Sequence, residues 1–449
     1  MVSRRATGIW STLACLLFLF LALQEVDDLK FWKDLRVLNY DVEAYYHYLP
    51  SSFIYGDVRD LDHVYDIDAK LHPIDGQMRF GIFHVNETGF DCIKYTYGVA
   101  LLEAPLFFIA HAYCLWSGTS HPADGYSAPY QLSVALSTVL FVFLGLLILR
   151  GFLLRYVRDE AAALSILVIA LGTNLFFYST LNSGMSHGFL FFLFAVVLNC
   201  TDSWHKKPSA RTAIYLGLAL GGIMLTRPAD SLVILIPLLW TNGIGWSAKW
   251  ALIWRYRSHI ALVVIAGLIP IIPQLLYWKA TTGHFIFDSY RTEGFNWTDP
   301  HMIDGLFSYQ KGWFVYTPLA MLGFIGLAIM AFSRSWKRHA VPVLIFYPLA
   351  FYVIFSWHLW GYGGGFGARP LVETLALLGL PIAVLSQKIM DKHFLLGLVY
   401  GTVIFLGIHL NRFQQDQYLQ TIIHWDSMTE ERYWEVWGRN NWDGLDPFP

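Results

Sequence analysis

Gly98-Val-Ala-Leu-Leu-Glu-Ala-Pro-Leu-Phe-Phe-Ile-Ala-His-Ala-Tyr-Cys-Leu-Trp116 has nearly the length and apolarity of a membrane-spanning helix, which needs about 20 such residues. It also contains Glu103, Pro105 and His111. Working outward from it, eleven other apolar runs lie at 7–24, 130–149, 161–179, 186–201, 212–226, 229–244, 259–278, 314–332, 341–357, 371–386 and 394–410. Whether 98–116 crosses decides the side on which every later loop falls. Lys and Arg collect in cytoplasmic loops. If 98–116 lies flat, every even-numbered span ends in a basic loop: Arg150/Arg155/Arg158, Lys206/Lys207/Arg211, Lys249/Arg255/Arg257, Arg334/Lys337/Arg338 and Lys388/Lys392. With Arg4 and Arg5, the cytoplasmic segments then hold 16 of the 31 basic residues. If 98–116 crosses, all five basic loops move outside. The charge pattern therefore predicts an all-α polytopic membrane protein of about eleven transmembrane helices, N-terminus cytoplasmic and C-terminus outside. In-plane amphipathic helices are expected in a long first external loop, 24–129.

The composition agrees. The chain has 449 residues, 55% hydrophobic and 14% charged, against about 25% charged in soluble proteins. Its 18 Trp and 25 Tyr are of the kind that crowds membrane interfaces. A net charge of −2 gives no reason to expect a nucleic-acid partner. Met1-Val-Ser-Arg-Arg and the run to Leu23 resemble a signal peptide, but no small-x-small cleavage site follows, so a retained first helix is expected. Cys15, Cys92, Cys114 and Cys200 lack metal-ligand spacing; Cys92 and Cys114 would meet only in an oxidising compartment, and unpaired thiols are expected.

The spans are almost free of ionisable groups. Glu373 sits one turn into its run and His409 at the end of another. Ion-coupled transporters place relays at mid-membrane; here the chemistry is expected at the outer interface. The first external loop contains Leu38-Asn-Tyr-Asp-Val-Glu-Ala-Tyr-Tyr-His-Tyr-Leu-Pro50, in which Asp41, Tyr45 and Tyr48 share one helical face. Such a helix would lie on the membrane surface, with Asp41 placed to accept a proton or serving as a solvated surface acid. Asn182-Ser-Gly-Met-Ser-His187-Gly188 puts a histidine at a helix mouth, able to shuttle a proton or to act as an ordinary hydrogen-bonded side chain. Arg227, in Thr226-Arg-Pro-Ala-Asp230, and Arg369, in Trp360-Gly-Tyr-Gly-Gly-Gly-Phe-Gly-Ala-Arg-Pro370, stand at outer helix ends. Arginine's planar fork suits phosphate oxygens, and the glycines allow close backbone approach to an anion. Plain headgroup anchoring is the alternative. Structural roles are expected for His63, His72, His84 and His301 and for the sequon Asn86-Glu-Thr88.

An early outer-loop acid followed by tyrosines, in-plane apolar segments, multiple spans and a late Gly-Phe-Gly-x-Arg turn resemble the GT-C membrane glycosyltransferases, particularly bacterial relatives of protein O-mannosyltransferases and of the aminoarabinose lipid A transferase. The resemblance covers 1–410; 411–449 is a short external tail. It implies Asp41 as catalytic base, with Glu43 as neighbour or substitute. It places Ser183, Ser186 and His187 at the active site, Arg369 and Arg227 on the lipid phosphate, and Tyr45, His358, Trp360, Gly365 and Gly367 about the donor. The acid pair that binds metal in oligosaccharyltransferase relatives is missing from the second outer loop, which implies metal-independent transfer.

The resulting expectation is inverting transfer, without a cofactor, from a polyprenyl-phosphate sugar to a hydroxyl of a glycan, lipid or protein acceptor, at the periplasmic face of a bacterial inner membrane. Membrane lipids are the other partners. A flippase of lipid-linked saccharide would need a polar path through the bilayer. A non-catalytic assembly factor would leave Asp41 and Arg369 far apart.

Overall fold

The computed structural model describes residues 8–71, 80–116, 118, 120–241 and 243–445. The protein is 66% helical, and the described residues contain one two-stranded hairpin, Ile82–Val85 with Phe90–Ile93. His72, Arg4 and Arg5 lie outside the described residues.

Among these residues, seven helices are long and apolar enough to cross a membrane: Ile9–Leu29, Gly98–Trp116, Ala128–Leu153, Ser186–Lys206, Arg257–Thr282, Lys337–Phe355 and Phe394–Leu419. Seven is fewer than the expected eleven. The runs at 212–226, 229–244, 314–332 and 371–386 form shorter apolar helices, Ala210–Thr226, Pro228–Leu239, Ala320–Ala331 and Leu375–Met390. The longest of these covers about 25 Å, against a hydrocarbon core of about 30 Å. Prolines contribute to the shortening: Pro228 and Pro318 stand where a preceding helix would have to continue. The run at 161–179 is divided into Asp159–Leu171 and Leu175–Ser179.

The bundle has two chemically distinct ends. At one, Arg150 donates to Gly8 O at 2.8 Å. Asp159 accepts from the Trp10 and Ser11 backbone N–H groups, and Arg158 pairs with Asp391 at 2.7 Å. Arg155 and Lys206 meet Asp202, each at 3.0 Å. The cations Arg150, Arg155, Arg158 and Lys206 come from the basic loops that the charge pattern singles out. Between the ends the core is apolar, with Leu146, Leu149, Phe191, Phe194, Leu198, Leu378 and Ile382 buried. The other end gathers Asp41, Tyr95, His187, Arg227, Arg369 and Glu373.

The Gly98–Trp116 helix packs near that second end. Gly98 abuts Thr226, where helix Ala210–Thr226 stops. Phe107 and His111 both meet Tyr130, in the first turn of helix Ala128–Leu153. The helix Tyr40–Tyr46, expected on the membrane surface, is instead packed inside: Val42, Ala44 and Tyr46 are buried, and Val42 fills the space left by Gly184. Its apolar back face is worth more in the core than at the surface.

One further difference has a local cause. The last long helix extends to Leu419, past the expected end at 410, because its polar face is satisfied internally. Asn411 donates to Tyr316 O at 2.6 Å and Gln417 to Val436 O at 2.8 Å, which also ties the tail down. All four cysteines are free and buried.

Close helix packing rests on Gly217-Leu-Ala-Leu-Gly221, a small-xxx-small face. A Cβ on Gly221 would run into the Gly267 backbone. Gly221→Val is therefore expected to destabilise the protein by about 1–3 kcal/mol, read as a lower Tm in detergent, whereas Gly151→Ala, which has open space around it, leaves Tm near wild type.

Candidate active site

Tyr40–Tyr46 presents Asp41 and Tyr45 on one face, as the helical spacing predicts. Asp41 Oδ1 accepts from the Tyr95 hydroxyl at 2.7 Å, and Oδ2 accepts from Arg369 Nη2 at 3.0 Å. Tyr48, one turn further on, donates to Tyr95 O at 2.7 Å. The chain thus joins residues 328 apart in sequence into one carboxylate–guanidinium pair. Burial, then the charge of Asp41, pushes the Tyr95 hydroxyl well above its ordinary value, so it stays a donor to the carboxylate.

The glycine-rich turn sets the position of Arg369. Gly365 has φ +156°, and a Cβ there would stand 2.7 Å from Tyr178 Oη and 3.2 Å from Arg369 Cδ. Gly367 has φ +61°, a conformation glycine adopts without strain. Arg369 Nη1 donates back to Gly364 O at 3.1 Å. Beneath the turn, buried Lys311 donates from Nζ to Gly365 O at 2.6 Å. Its ammonium is pulled down to about 7 by burial, with the nearby charge of Arg369 adding to the effect.

A second charge group adjoins the first. Arg227 Nη1 bonds Glu373 Oε1 at 2.8 Å and its Nε lies 3.6 Å from Asp230 Oδ2. His187 Nδ1 lies 3.0 Å from Glu373 Oε2. Tyr362 faces the Arg227 guanidinium at 5.7 Å. Tyr178 joins the two groups: its ring meets His187 edge-on at 5.1 Å and its hydroxyl donates to Phe366 O at 3.1 Å. Buried Tyr45 feels Asp41, Arg227 and Arg369 together. On the rim, Lys94 pairs with Glu293 at 2.5 Å and stands 5.0 Å from the Tyr290 ring.

Of the residues singled out from sequence, Asp41, Tyr45, His187, Arg227, Arg369, Gly365 and Gly367 come together. Ser183 and Ser186 are buried in the turn leading to His187. Glu43, His358 and Trp360 are not brought in. Two positions after Asp41, Glu43 falls on the opposite helix face, buried with neither oxygen hydrogen-bonded. His358 is exposed, and Trp360 stacks on His301 at 5.7 Å; it is Trp357 that packs on Tyr290. Tyr95, Tyr178, Tyr290, Lys311 and the bridging role of Glu373 were not foreseen. Only Glu373 carried a signal, as a lone acid inside an apolar run. His84 pairs with Asp91, and His63 with Ser51. Asn86 is exposed in the hairpin turn. Among the described residues, no three His, Cys, Asp or Glu side chains converge in a metal-binding cluster.

Glu43 gives a pH prediction. Burial, then the charge of Asp68, raises its carboxyl well above the ordinary value. The protonated form is favoured on folding, so stability is full below the unfolded pKa and is lost as pH rises through the folded one. Glu43→Gln is expected to leave Tm unchanged at pH 4 and to raise it at pH 9. A gain that is equal at both pH values contradicts this.

No family model matches the chain and no curated protein matches it, so the functional argument rests on the arrangement of these side chains.

Proposed function

We propose that this chain is an integral-membrane glycosyltransferase. It moves a sugar from a polyprenyl-phosphate donor to an acceptor hydroxyl at the non-cytoplasmic face of a cell membrane. The observation that carries this reading is the Asp41–Arg369 pair at 3.0 Å, formed between the first loop and the glycine-rich turn at the bundle end away from the basic cluster. The same observation disfavours an assembly factor, which has no need to join the two. The apolar core between the ends disfavours a flippase.

In this reading the chain crosses eleven times, with the four shorter apolar helices and the divided run at 161–179 counted as spans and 98–116 lying along the outer interface. The basic end is cytoplasmic. Arg369 has enough donors to keep Asp41 on one nitrogen while a donor phosphate displaces the Gly364 carbonyl from another. Charge gathering on the departing phosphate is then met by a guanidinium already in place. Asp41, with both oxygens engaged, holds Arg369 and orients the acceptor. A single displacement inverts the anomeric centre.

The test is transfer of labelled sugar from polyprenyl phosphate by the purified chain. Loss of transfer on breaking either half of the pair supports the reading. Transfer unaffected in both variants overturns it. The topology has a separate test: in cells, a cysteine at Asn86 is expected to react with an impermeant maleimide added from outside, and one at Lys207 only after permeabilisation. The reverse pattern inverts the assignment.

A further inference from the structure

We infer that Glu373 is a positioning residue that holds His187 as the proton acceptor of the site, with its Nε2 as the basic atom. The inference rests on the transferase reading for its chemistry but not for its geometry.

The two oxygens of Glu373 are divided between two partners. Oε1 takes Arg227 at 2.8 Å and Oε2 takes His187 Nδ1 at 3.0 Å. Glu373 and His187 are both buried, 0% and 3% exposed. With Glu373 ionised, the form that its pair with Arg227 favours, its oxygens only accept, so Nδ1 carries the hydrogen and Nε2 carries the lone pair. Nε2 makes no hydrogen bond to any described residue, and it is not among the atoms sealed from solvent without a partner. The ring is therefore anchored at Nδ1, with Nε2 unbonded on the other side. Arg227, fixed by Asp230 and Tyr362, keeps Glu373 from turning away.

Asp41 differs in the same respect. Both of its oxygens already accept a hydrogen bond, from Tyr95 and from Arg369. The carboxylate of Asp41 is thus committed to two donors, whereas the imidazole of His187 keeps one nitrogen unbonded beside them. In the transfer step, the acceptor oxygen forms its bond to the anomeric carbon. The bond from that carbon to the phosphate oxygen breaks, and the phosphate leaves with the electron pair. The acceptor proton passes to His187 Nε2. The imidazolium so formed is stabilised by Glu373, as in other carboxylate–imidazole pairs.

The first test needs no substrate. Nitrogen-15 spectra of histidine-labelled full chain in detergent at pH 8, with His187→Gln assigning the signal, are expected to show Nδ1 protonated and Nε2 bare. In Glu373→Gln, a mixture of tautomers is expected. The opposite tautomer in wild type, or an unchanged one in Glu373→Gln, overturns the inference even if the chain proves to be a transferase. The second test is kinetic. His187→Gln should lower kcat about 100-fold, with the KM for the lipid donor changed less than about threefold. Glu373, Arg227, Arg369, Asp41 and Tyr178 all face His187 and stay in place in this variant. Glu373→Asp, which cannot span both partners, should lose kcat as well. Wild-type turnover in His187→Gln overturns the inference and leaves the Asp41–Arg369 reading standing.

Discussion

Arg369→Ala is expected to lower sugar transfer from a polyprenyl-phosphate donor by about 10²–10³-fold, the range seen when one preorganised charge-stabilising donor is removed. Three features make the loss large. The guanidinium is mostly buried, its side chain 17% exposed, so water replaces it poorly. It is held from both sides, by Asp41 and by Gly364 O, so little reorganisation is needed when charge develops. The neighbouring cations among the described residues are engaged elsewhere: Arg227 with Glu373 and Asp230, Lys94 with Glu293, and Lys311, pulled down to about 7 by burial, with Gly365 O. Arg369→Lys should recover little, because an ammonium cannot reach a carboxylate and a phosphate with one planar fork. Asp41→Asn should cost about 10²-fold by a different route. Its oxygen can still accept from Tyr95, but its amide hydrogens then face the guanidinium and push Arg369 off position. Retention of more than half the wild-type rate in both Arg369→Ala and Asp41→Asn, with normal Tm, would remove the pair from the mechanism.

Most of the scaffold was legible because membrane helices are written in composition. Apolar runs became helices, and the basic loops became one end of the bundle. What failed was length. Whether a run of about 17 apolar residues makes a full span depends on where Pro228 or Pro318 interrupts it, and on whether a polar stretch such as Asn411–Gln417 finds buried partners that let a helix continue. The site was legible in part. Asp41 and Arg369 were visible because helical spacing and glycine-rich turns leave marks in the sequence. The pairing of His187 with Glu373, 186 positions apart, leaves none. Lys311 and Tyr95 acquire their roles only from the turn and the carboxylate that the fold sets beside them. The misplacement of Glu43 was avoidable, since a residue two positions along a helix faces away from its neighbour.

Asp202→Ala is expected to destabilise the chain by about 3 kcal/mol, the largest stability effect of a single substitution in this set. Asp202 is completely buried and binds three partners, Lys206 on its own helix at 3.0 Å and, from the turn after helix Ala128–Leu153, Arg155 at 3.0 Å and the Tyr156 hydroxyl. Removing it takes the carboxylate from two cations, although Arg155 keeps Ser203 and Asn199 and Lys206 keeps the Tyr156 ring. Arg155 and Lys206 are 28% and 37% exposed, so each recovers some hydration, which keeps the cost at the low end of that for a broken buried pair. The Tyr156 hydroxyl loses its acceptor as well. Asp202→Asn retains an acceptor for Tyr156 and should cost roughly half as much. The site lies at the opposite end of the bundle, so catalysis by the folded fraction should be unchanged in both variants. Thermal unfolding in detergent checks the order wild type, Asn, Ala; activity normalised to folded protein checks the separation. An Asp202→Ala chain with wild-type Tm would mean that this network does not hold the basic end together. Normal Tm with lost activity would mean that the two ends communicate through the core, and the apolar packing between them gives no route for that.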